Sequence, residues 1–358
     1  MTDISIIIPT LNRVRALSEA LESAARVIDP DDPVEIIIVD NGSVDRTAGA
    51  CREIKDRFPK HDWRYFYDET PGLLTGRHLG AREAQGEILT FLDDDVLLAP
   101  SWLEALKDAF SDPDVMLVGG PSFPRYEVEP PSWLAGQWVE FEGGRRCNPL
   151  SLIDFGRAKK EVDATYVWGL NFSIRRTAFE TCKGFHPDCI PKPLQRYQGD
   201  GETGLAEKIK RRGLKTLYHP GVALQHFIPA LRLTPESFEQ RGFYNGVCSS
   251  YSNIRSTQAV PPRSWKDRLR PIKRKFERER ILRNPTTEDI RRLYAQAYLA
   301  GFQFHQDEVR NDEKLLEWVL RPDYFDYRLP QGWEDYVSEV PQRSPAQSCL
   351  DVYPPKAL

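Results

Sequence analysis

The first third of the chain alternates short, continuously apolar runs with segments of helical periodicity. The apolar runs are rich in β-branched residues and lack polar alternation, which is typical of strands covered on both faces. We predict strands at 4–8, 35–39, 63–67 and 88–92, and helices at 14–28, 44–58, 76–84 and from Pro100 onward. Apolar strands that alternate with helices predict an α/β fold with a doubly wound, mostly parallel, Rossmann-like sheet.

The remaining two-thirds of the chain has a less regular pattern. Residues 111–165 are rich in Pro, Gly and Trp and predict no clear element. Helices are predicted at 175–182 and 201–212, and KTLYHPGVALQHF predicts one or two strands. After Thr234 the pattern becomes helical, so we expect a mostly helical C-terminal extension over 233–358.

Composition and charge narrow the class of protein. Lys and Arg number 49 against 53 Asp and Glu, a near-balance that argues against a surface built for nucleic acid. No apolar run is long enough to span a bilayer, and MTDISIIIPTLNR does not resemble a signal peptide. We therefore expect a cytoplasmic protein. The basic stretch 262–283 is either a solvated surface or a peripheral contact with the inner face of an anionic membrane.

Polar clusters follow three of the predicted strands at their carboxyl ends. They are PTLNR after the first strand, DNGS after the second and DDD after the fourth. Ligands of open α/β sheets bind outside the carboxyl ends of the strands, so we expect the three clusters to face one crevice.

The three adjacent aspartates are the strongest candidate for a metal site. Two carboxylates at positions i and i+2, here Asp93 and Asp95, suit Mg²⁺ or Mn²⁺ when a substrate diphosphate completes the shell. Strand alternation predicts that Asp94 points the other way. The alternative interpretation is a solvated acidic loop.

Further candidate groups come later in the chain. Asp200 and Glu202 precede a predicted helix, where a carboxylate either caps the helix or acts as a general base. His226 ends an apolar run, and a lone histidine is more often structural than a ligand. Arg232 and Arg241, which follow it, would suit phosphate.

Six stretches in chain order resemble a known family. They are SIIIPTLNR, EIIIVDNGSVDRT, PGLLTGRHLGAREAQGEILTFLDDDV, WGLNFSIRRTAFETCKGF, GDGETGLAEKIKRRG and QHFIPALRLT. Together they cover residues 3–246 and resemble the family 2 glycosyltransferases, which have the GT-A fold. The chain departs from the family pattern at Arg77-His78, where Arg-Asn is usual, and at Asp200-Gly201-Glu202, where Glu-Asp is usual.

The resemblance implies roles for the matched positions. It implies nucleotide and donor binding by Pro9, Thr10, Asn12, Arg13, Asp40, Gly42, Arg77, Asp93, Asp94 and Asp95. It implies a sugar and acceptor pocket at Trp168, Gly169 and Asn171, and a Mn²⁺ or Mg²⁺ ion held by Asp95, Asp93 and His226. It also implies that Glu202 is the catalytic base, with Asp200 as the alternative.

The function implied by the resemblance is inverting sugar transfer in glycan or polysaccharide biosynthesis. The donor would be a nucleotide sugar, most commonly a UDP-sugar, and the acceptor a hydroxyl of a saccharide or of a lipid-linked molecule. Residues 1–112 would form the nucleotide-sugar half, 113–232 the acceptor half and 233–358 the extension, which could serve homodimerisation. The alternatives are a non-catalytic glycan- or nucleotide-binding protein on this scaffold and a sugar-phosphate nucleotidyltransferase.

Overall fold

The computed structural model describes residues 2–141, 143–260, 281–282, 285–326 and 329. Its strands, in chain order, are β1 Ile4–Thr10, β2 Val34–Asp40, β3 Asp62–Tyr67, β4 Ile88–Leu92, β5 Val96–Leu98, β6 Val115–Gly119, β7 Ser122–Tyr126, β8 Val139–Phe141, β9 Gly144–Cys147, β10 Leu152–Asp154, β11 Lys160–Glu161, β12 Asn171–Arg175, β13 Lys215–Tyr218 and β14 Leu224–Ile228. Its α-helices are α1 Val14–Val27, α2 Thr47–Arg57, α3 Leu73–Glu83, α4 Trp102–Phe110, α5 Arg176–Thr181, α6 Glu202–Arg211, α7 Pro235–Thr257, α8 Thr287–Asn311 and α9 Glu313–Leu320.

The central sheet has eight strands in the order β11-β13-β6-β12-β4-β1-β2-β3. Strands β1 to β4 run parallel to one another, and β13 runs parallel to β6, whereas β12 is antiparallel to both of its neighbours. Every residue of β1, β2 and β4 is buried, because helices and loops cover both faces of the sheet. The predicted α/β fold class with a mostly parallel sheet and a helical C-terminal extension is therefore confirmed.

A second sheet has six strands in the order β5-β14-β7-β10-β9-β8. It is built largely from the region between 111 and 165, whose pattern predicted no element because its strands are short and separated by turns. In this sheet His226 of β14 pairs with Val96 of β5, directly after the aspartate triplet. The second sheet thus places the histidine beside the carboxylates.

The helical extension packs against the central domain and shares its core. Tyr251 of α7, Val309 of α8 and Val319 of α9 belong to the same buried cluster as Ile7 and Phe91 of the central sheet. Helices α7 and α8 are in very close contact where they cross. A Cβ atom added at Gly246 would lie only 2.0 Å from the carbonyl oxygen of Tyr298. Only glycine fits at this crossing.

We expect Gly246→Ala to lower the free energy of unfolding by about 1–3 kcal/mol, because the added methyl forces α7 and α8 apart. Gly49→Ala on α2 is the matched control, since a Cβ there meets nothing within 4 Å. In an exposed helix this second change is expected to be neutral or stabilising by roughly 0.5–1 kcal/mol. Chemical denaturation of both variants checks the difference, and equal shifts would contradict the close crossing.

The structure also bears on membrane contact. Within the described ranges, no helix combines the length and the apolar character needed to cross a bilayer. Of the basic stretch 262–283, only residues 281–282 are described, so the predicted peripheral contact lies outside the described residues.

Candidate active site

Two loops at the carboxyl end of the sheet are tied to each other. The Asn12 amide donates to Ser43 Oγ at 2.8 Å, and Asn12 Oδ1 accepts a hydrogen bond from the Val44 amide at 2.8 Å. Asn12 adopts a left-handed backbone with φ of 53°, which asparagine tolerates better than most residues. The predicted nucleotide-binding residue Asn12 therefore holds the first loop against the second.

Asp40 is the last residue of β2, beside these loops, and is almost fully buried. Its Oδ1 accepts a hydrogen bond from the Ser43 amide at 2.7 Å, and its Oδ2 accepts one from the Tyr65 hydroxyl at 2.7 Å. Gly42 closes the turn between them with φ of 92°. Tyr65, which is 39% exposed, presents a ring beside the carboxylate. The sequence did not reveal Tyr65, because the register of β2 and β3 sets Tyr67 opposite Asp40 and only the side-chain hydrogen bond joins Tyr65 to it.

The aspartate triplet forms a turn after β4, with its side chains pointing to two sides. Asp94 accepts hydrogen bonds from Thr10 Oγ1 and Arg13 Nη1, both at 2.7 Å. Asp95 accepts one from Arg13 Nη2 at 2.7 Å, whereas Asp93 faces Arg77. The prediction that Asp94 points away from Asp95 is wrong, because these residues lie in a turn, where strand alternation does not hold.

The pKa values of Asp94 and Asp95 are shifted in opposite directions, although both carboxylates are buried and both bind Arg13. Burial raises the pKa of Asp94 to about 6, although Arg13 opposes the shift. Burial would also raise the pKa of Asp95, but Arg13 and His226 outweigh it and hold that pKa well below its usual range. The two carboxylates in turn raise the pKa of Arg13, which burial alone would lower. As the pH falls, Asp94 is therefore protonated before Asp95.

His226 lies beside Asp95, with its Nε2 atom 3.6 Å from Asp95 Oδ2. Its Nδ1 atom is 3.0 Å from the Leu150 carbonyl, which places the proton on Nδ1 and leaves a lone pair on Nε2. Arg232 Nη1 donates to this Nε2 at 3.1 Å. Asp95 Oδ1 is buried and has no hydrogen-bond partner within the described ranges.

These two side chains fit a divalent cation. The Asp95 oxygen without a partner is a ligand that both Mn²⁺ and Mg²⁺ accept, and the imidazole lone pair suits Mn²⁺ once Arg232 releases it. The third predicted ligand, Asp93, faces away toward Arg77, and the described part of the chain contains no cluster of three His, Cys, Asp or Glu side chains suited to a metal. A cation here would need oxygen atoms from a substrate to complete its shell.

Arg77 is the centre of the other half of the crevice. Its side chain is buried, with Nη2 3.4 Å from Asp93 and Nη1 3.3 Å from Glu202 and 3.8 Å from Asp188. Burial would lower the pKa of Arg77, but these carboxylates raise it. A Cβ atom at Gly169 would lie 2.2 Å from Arg77 Nη2, so only glycine leaves room for the guanidinium group.

Glu202 begins α6 and reaches into the crevice. Its Oε1 accepts a hydrogen bond from the Gly169 amide at 3.3 Å, while its Oε2 faces Arg77. Its side chain is 23% exposed, which leaves part of the carboxylate open to a substrate. The preceding Gly201 has φ of 54°, and this turn directs Glu202 toward the crevice.

Asp200 is enclosed in the protein interior instead. Its Oδ1 is 2.6 Å from His186 Nδ1, and its Oδ2 accepts a hydrogen bond from Ser252 Oγ at 2.6 Å. Burial would raise the pKa of Asp200, but His186 and Ser252 lower it. Both oxygens are engaged in fastening the loop before α6 to α7, so Asp200 is poorly placed to accept a substrate proton.

The predicted sugar pocket is only partly assembled by the matched residues. Trp168 is half-buried and donates its indole N–H to the Thr165 carbonyl at 3.2 Å. Asn171 is buried, accepts from Trp102 Nε1 at 3.3 Å and donates to the Val222 carbonyl at 2.8 Å. Its amide thus joins β12 to α4, which differs from the expectation that Asn171 faces the sugar. Pro9 lies within β1, where it pairs with Val39.

Two further polar residues near Arg77, His78 and Asp188, make hydrogen bonds to other groups of the protein interior. His78 contacts the Tyr324 carbonyl through Nδ1 at 3.0 Å and accepts from the Phe185 amide at 3.0 Å, and burial lowers its pKa to about 3. Asp188 accepts hydrogen bonds from the Tyr244 hydroxyl and, at 2.9 Å, from the Cys189 amide. No sequence motif marks Asp188, because Tyr244 and Arg77, which it contacts, are distant from it in the chain.

A comparison with family models matches residues 5–182 to "Glycosyl transferase family 2". The chain is 24% identical over 261 residues to "Glucosyl-dolichyl phosphate glucuronosyltransferase" of Haloferax volcanii, covering 72% of this chain and 79% of the relative. It is 27% identical over 202 residues to "Validoxylamine A glucosyltransferase" of Streptomyces hygroscopicus subsp. jinggangensis, covering 52% of this chain and only 47% of the relative.

Among solved structures, a mannosyltransferase from Pyrobaculum calidifontis in complex with GDP-Man and Mn²⁺ overlays with a TM-score of 0.49. The identity is 17%, and the overlay covers 88% of this chain and 84% of that protein.

Proposed function

Because the chain belongs to glycosyl transferase family 2 and is a glycosyltransferase of the GT-A fold class, we propose that it transfers a sugar with inversion from a nucleotide sugar to a hydroxyl acceptor. The observation that carries this proposal is the position of Glu202. It is a partly open carboxylate beside Arg77, which also contacts Asp93 of the aspartate turn. One crevice thus offers a base to the acceptor and charged groups to the leaving group.

Donor recognition is assigned to the carboxyl ends of β1, β2 and β4. Asp40 and the Tyr65 ring would hold the nucleobase, because the carboxylate accepts N–H groups and the ring offers a stacking face. Asp93 would lie near the ribose. UDP-sugars are the first donors to test, since uracil presents one N–H group that suits a single buried carboxylate.

Stabilisation of the departing diphosphate is assigned to Asp95 and His226. They would hold Mn²⁺ or Mg²⁺, and the bound cation would act as a Lewis acid on the diphosphate. Arg13 keeps Asp94 and Asp95 close together by binding both. The low pKa of Asp95 keeps it ionised, which is the state a cation requires.

Proton transfer is assigned to Glu202. Its Oε2 would take the proton of the acceptor hydroxyl as the oxygen attacks the anomeric carbon from the face opposite the diphosphate. Arg77 and the Gly169 amide orient the carboxylate. Asp200 acts by positioning this loop through His186 and Ser252.

The acceptor is proposed to be a saccharide, free or carried on a lipid. The name of the Haloferax relative contains a dolichyl phosphate, which favours a lipid-linked acceptor and glycan biosynthesis. Peripheral membrane contact through 262–283 would suit such an acceptor and remains part of the proposal. The division of the chain after residues 112 and 232 into a donor region, an acceptor region and an extension is also part of the proposal.

A thermal-shift screen of nucleotide sugars with and without Mn²⁺ tests the proposed function. We expect one nucleoside class to raise the melting temperature, and Mn²⁺ to enlarge the shift, because ligands that bind only the folded state stabilise it. Release of free sugar from the same donor without acceptor would confirm turnover. No shift and no hydrolysis with any nucleotide sugar would refute the proposal.

A further inference from the structure

Two arginines near the aspartate turn have no carboxylate partner in the described part of the chain. Arg232 belongs to a 3₁₀ turn, Ala230–Leu233, directly before α7, and Arg241 lies two turns into α7. Arg13 and Arg77, the other two arginines of the crevice, each contact at least two carboxylates. The contrast singles out Arg232 and Arg241.

Arg232 is fully buried yet bound only to neutral groups. It donates from Nη1 to His226 Nε2 and from Nη2 to the Pro149 carbonyl, both at 3.1 Å. Its Nε–H is buried without a partner among the described residues. No hydrogen-bonded carboxylate therefore neutralises its charge, and burial together with the nearby Arg241 lowers the pKa of Arg232 to about 9.

Arg241 is half-buried and has even fewer contacts with the described residues. Its guanidinium carbon lies 5.3 Å from the centre of the Tyr244 ring, and its Nε–H is buried without a partner in the described ranges. It is also close enough to Arg232 for the two charges to repel each other. Tyr244 in turn contacts Asp188, so Arg241 lies between the cation side of the crevice and the Arg77 side.

Two neighbouring guanidinium groups without carboxylates are costly to bury. A phosphate group would remove both the repulsion and the missing hydrogen bonds, because the planar donors of arginine match its oxygen atoms. A carboxylate of the protein would also neutralise the two charges, and would do so permanently, but the described residues place none here. The arrangement is therefore suited to an anion that binds reversibly.

We propose that Arg232 and Arg241 form a phosphate-binding subsite of the crevice. The subsite rests on the proposed function and adds to it the chemical class of the group bound there. The phosphate could belong to the diphosphate of the donor or to a phosphate ester on the acceptor. Arg241 is the residue to replace, since it lies over the Tyr244 ring and its loss leaves the contact of Arg232 with His226 in place.

The test is Arg241→Gln in the full chain, with Arg82→Gln as the matched control on exposed α3 surface. Isothermal titration would measure two probes, which are UDP with saturating Mn²⁺ and glucose 1-phosphate added after UDP. We expect Arg241→Gln to weaken one of them by about tenfold or more, as loss of a charge-assisted hydrogen bond does. Arg241→Lys is expected to restore part of the loss, because it returns the charge without the planar donors.

The probe whose affinity falls identifies the source of the phosphate. A loss confined to UDP assigns the subsite to the donor, and a loss confined to glucose 1-phosphate assigns it to a phosphorylated acceptor. Affinities equal to those of Arg82→Gln for both probes would overturn the subsite. Arg241→Gln should melt no lower than the wild type, since it removes an unpaired charge, so misfolding would show separately. Wild-type protein that binds no UDP would count against the proposed function, while the glucose 1-phosphate measurement would still decide the subsite.

Discussion

Glu202→Gln is expected to lower kcat for sugar transfer by about 10³-fold, within the range that a positioned general base contributes. Glutamine has nearly the same shape, and its single carbonyl oxygen can keep one of the two hydrogen bonds that Glu202 accepts, from Arg77 or from the Gly169 amide. It cannot take a proton from the acceptor hydroxyl. Donor affinity should therefore change little, and steady-state kinetics together with titration of the nucleotide measure the two effects separately.

Glu207→Gln is the matched control for this prediction, because Glu207 is half-buried on the same helix and outside the crevice. Asp200→Asn tests the alternative base. We expect it to destabilise the fold, since it disturbs the buried contacts with His186 and Ser252, while its folded fraction keeps much of its kcat. The assignment of the base would have to move to Asp200 if Asp200→Asn lost turnover and Glu202→Gln kept it.

Asp95→Asn is expected to abolish the gain in nucleoside diphosphate affinity that Mn²⁺ provides, a loss of about 100-fold. The amide oxygen can still accept from Arg13 Nη2, and Asp94 keeps its own bond to Arg13, so the turn should stay folded. What disappears is the negative charge beside His226. Titration of UDP with and without Mn²⁺ measures the change.

The control for this variant is Asp56→Asn on the exposed face of α2, which should leave the Mn²⁺ effect intact. His226→Ala should reduce the same effect less severely, because it removes one neutral ligand and leaves the carboxylate. An Mn²⁺ effect of wild-type size in Asp95→Asn would exclude Asp95 as a ligand. Chelation by EDTA should bring the wild type down to the affinity of the variant.

Much of the central sheet could be predicted from the sequence alone. Strands β1, β2 and β4 read as continuous apolar runs because both of their faces are buried, and their ends match the structure within two residues. The polar clusters after them lie in one crevice, as the rule for parallel sheets requires. The short strands between 115 and 161 could not be predicted, because two to five residues carry too little periodicity.

Register and turns decided what the pattern could not. Asp94 joins Asp95 on Arg13 because the chain turns after Leu92, and Asn171 is withdrawn into the interior because it pairs with Leu92 in the sheet. Likewise, two carboxylates only two positions apart, Asp200 and Glu202, receive opposite environments. Sequence spacing treats them alike, whereas the positive φ of Gly201 turns one inward and the other toward Arg77.

The sequence by itself determined the family, the α/β sheet and the edge of that sheet at which polar groups gather, since these follow from local periodicity and short motifs. Only the tertiary structure decided which groups meet there. Arg77 meets Glu202 across 125 residues of chain, and His226 reaches Asp95 through the second sheet. Such contacts depend on long-range packing, and the same packing leaves Arg232 and Arg241 without a carboxylate partner among the described residues.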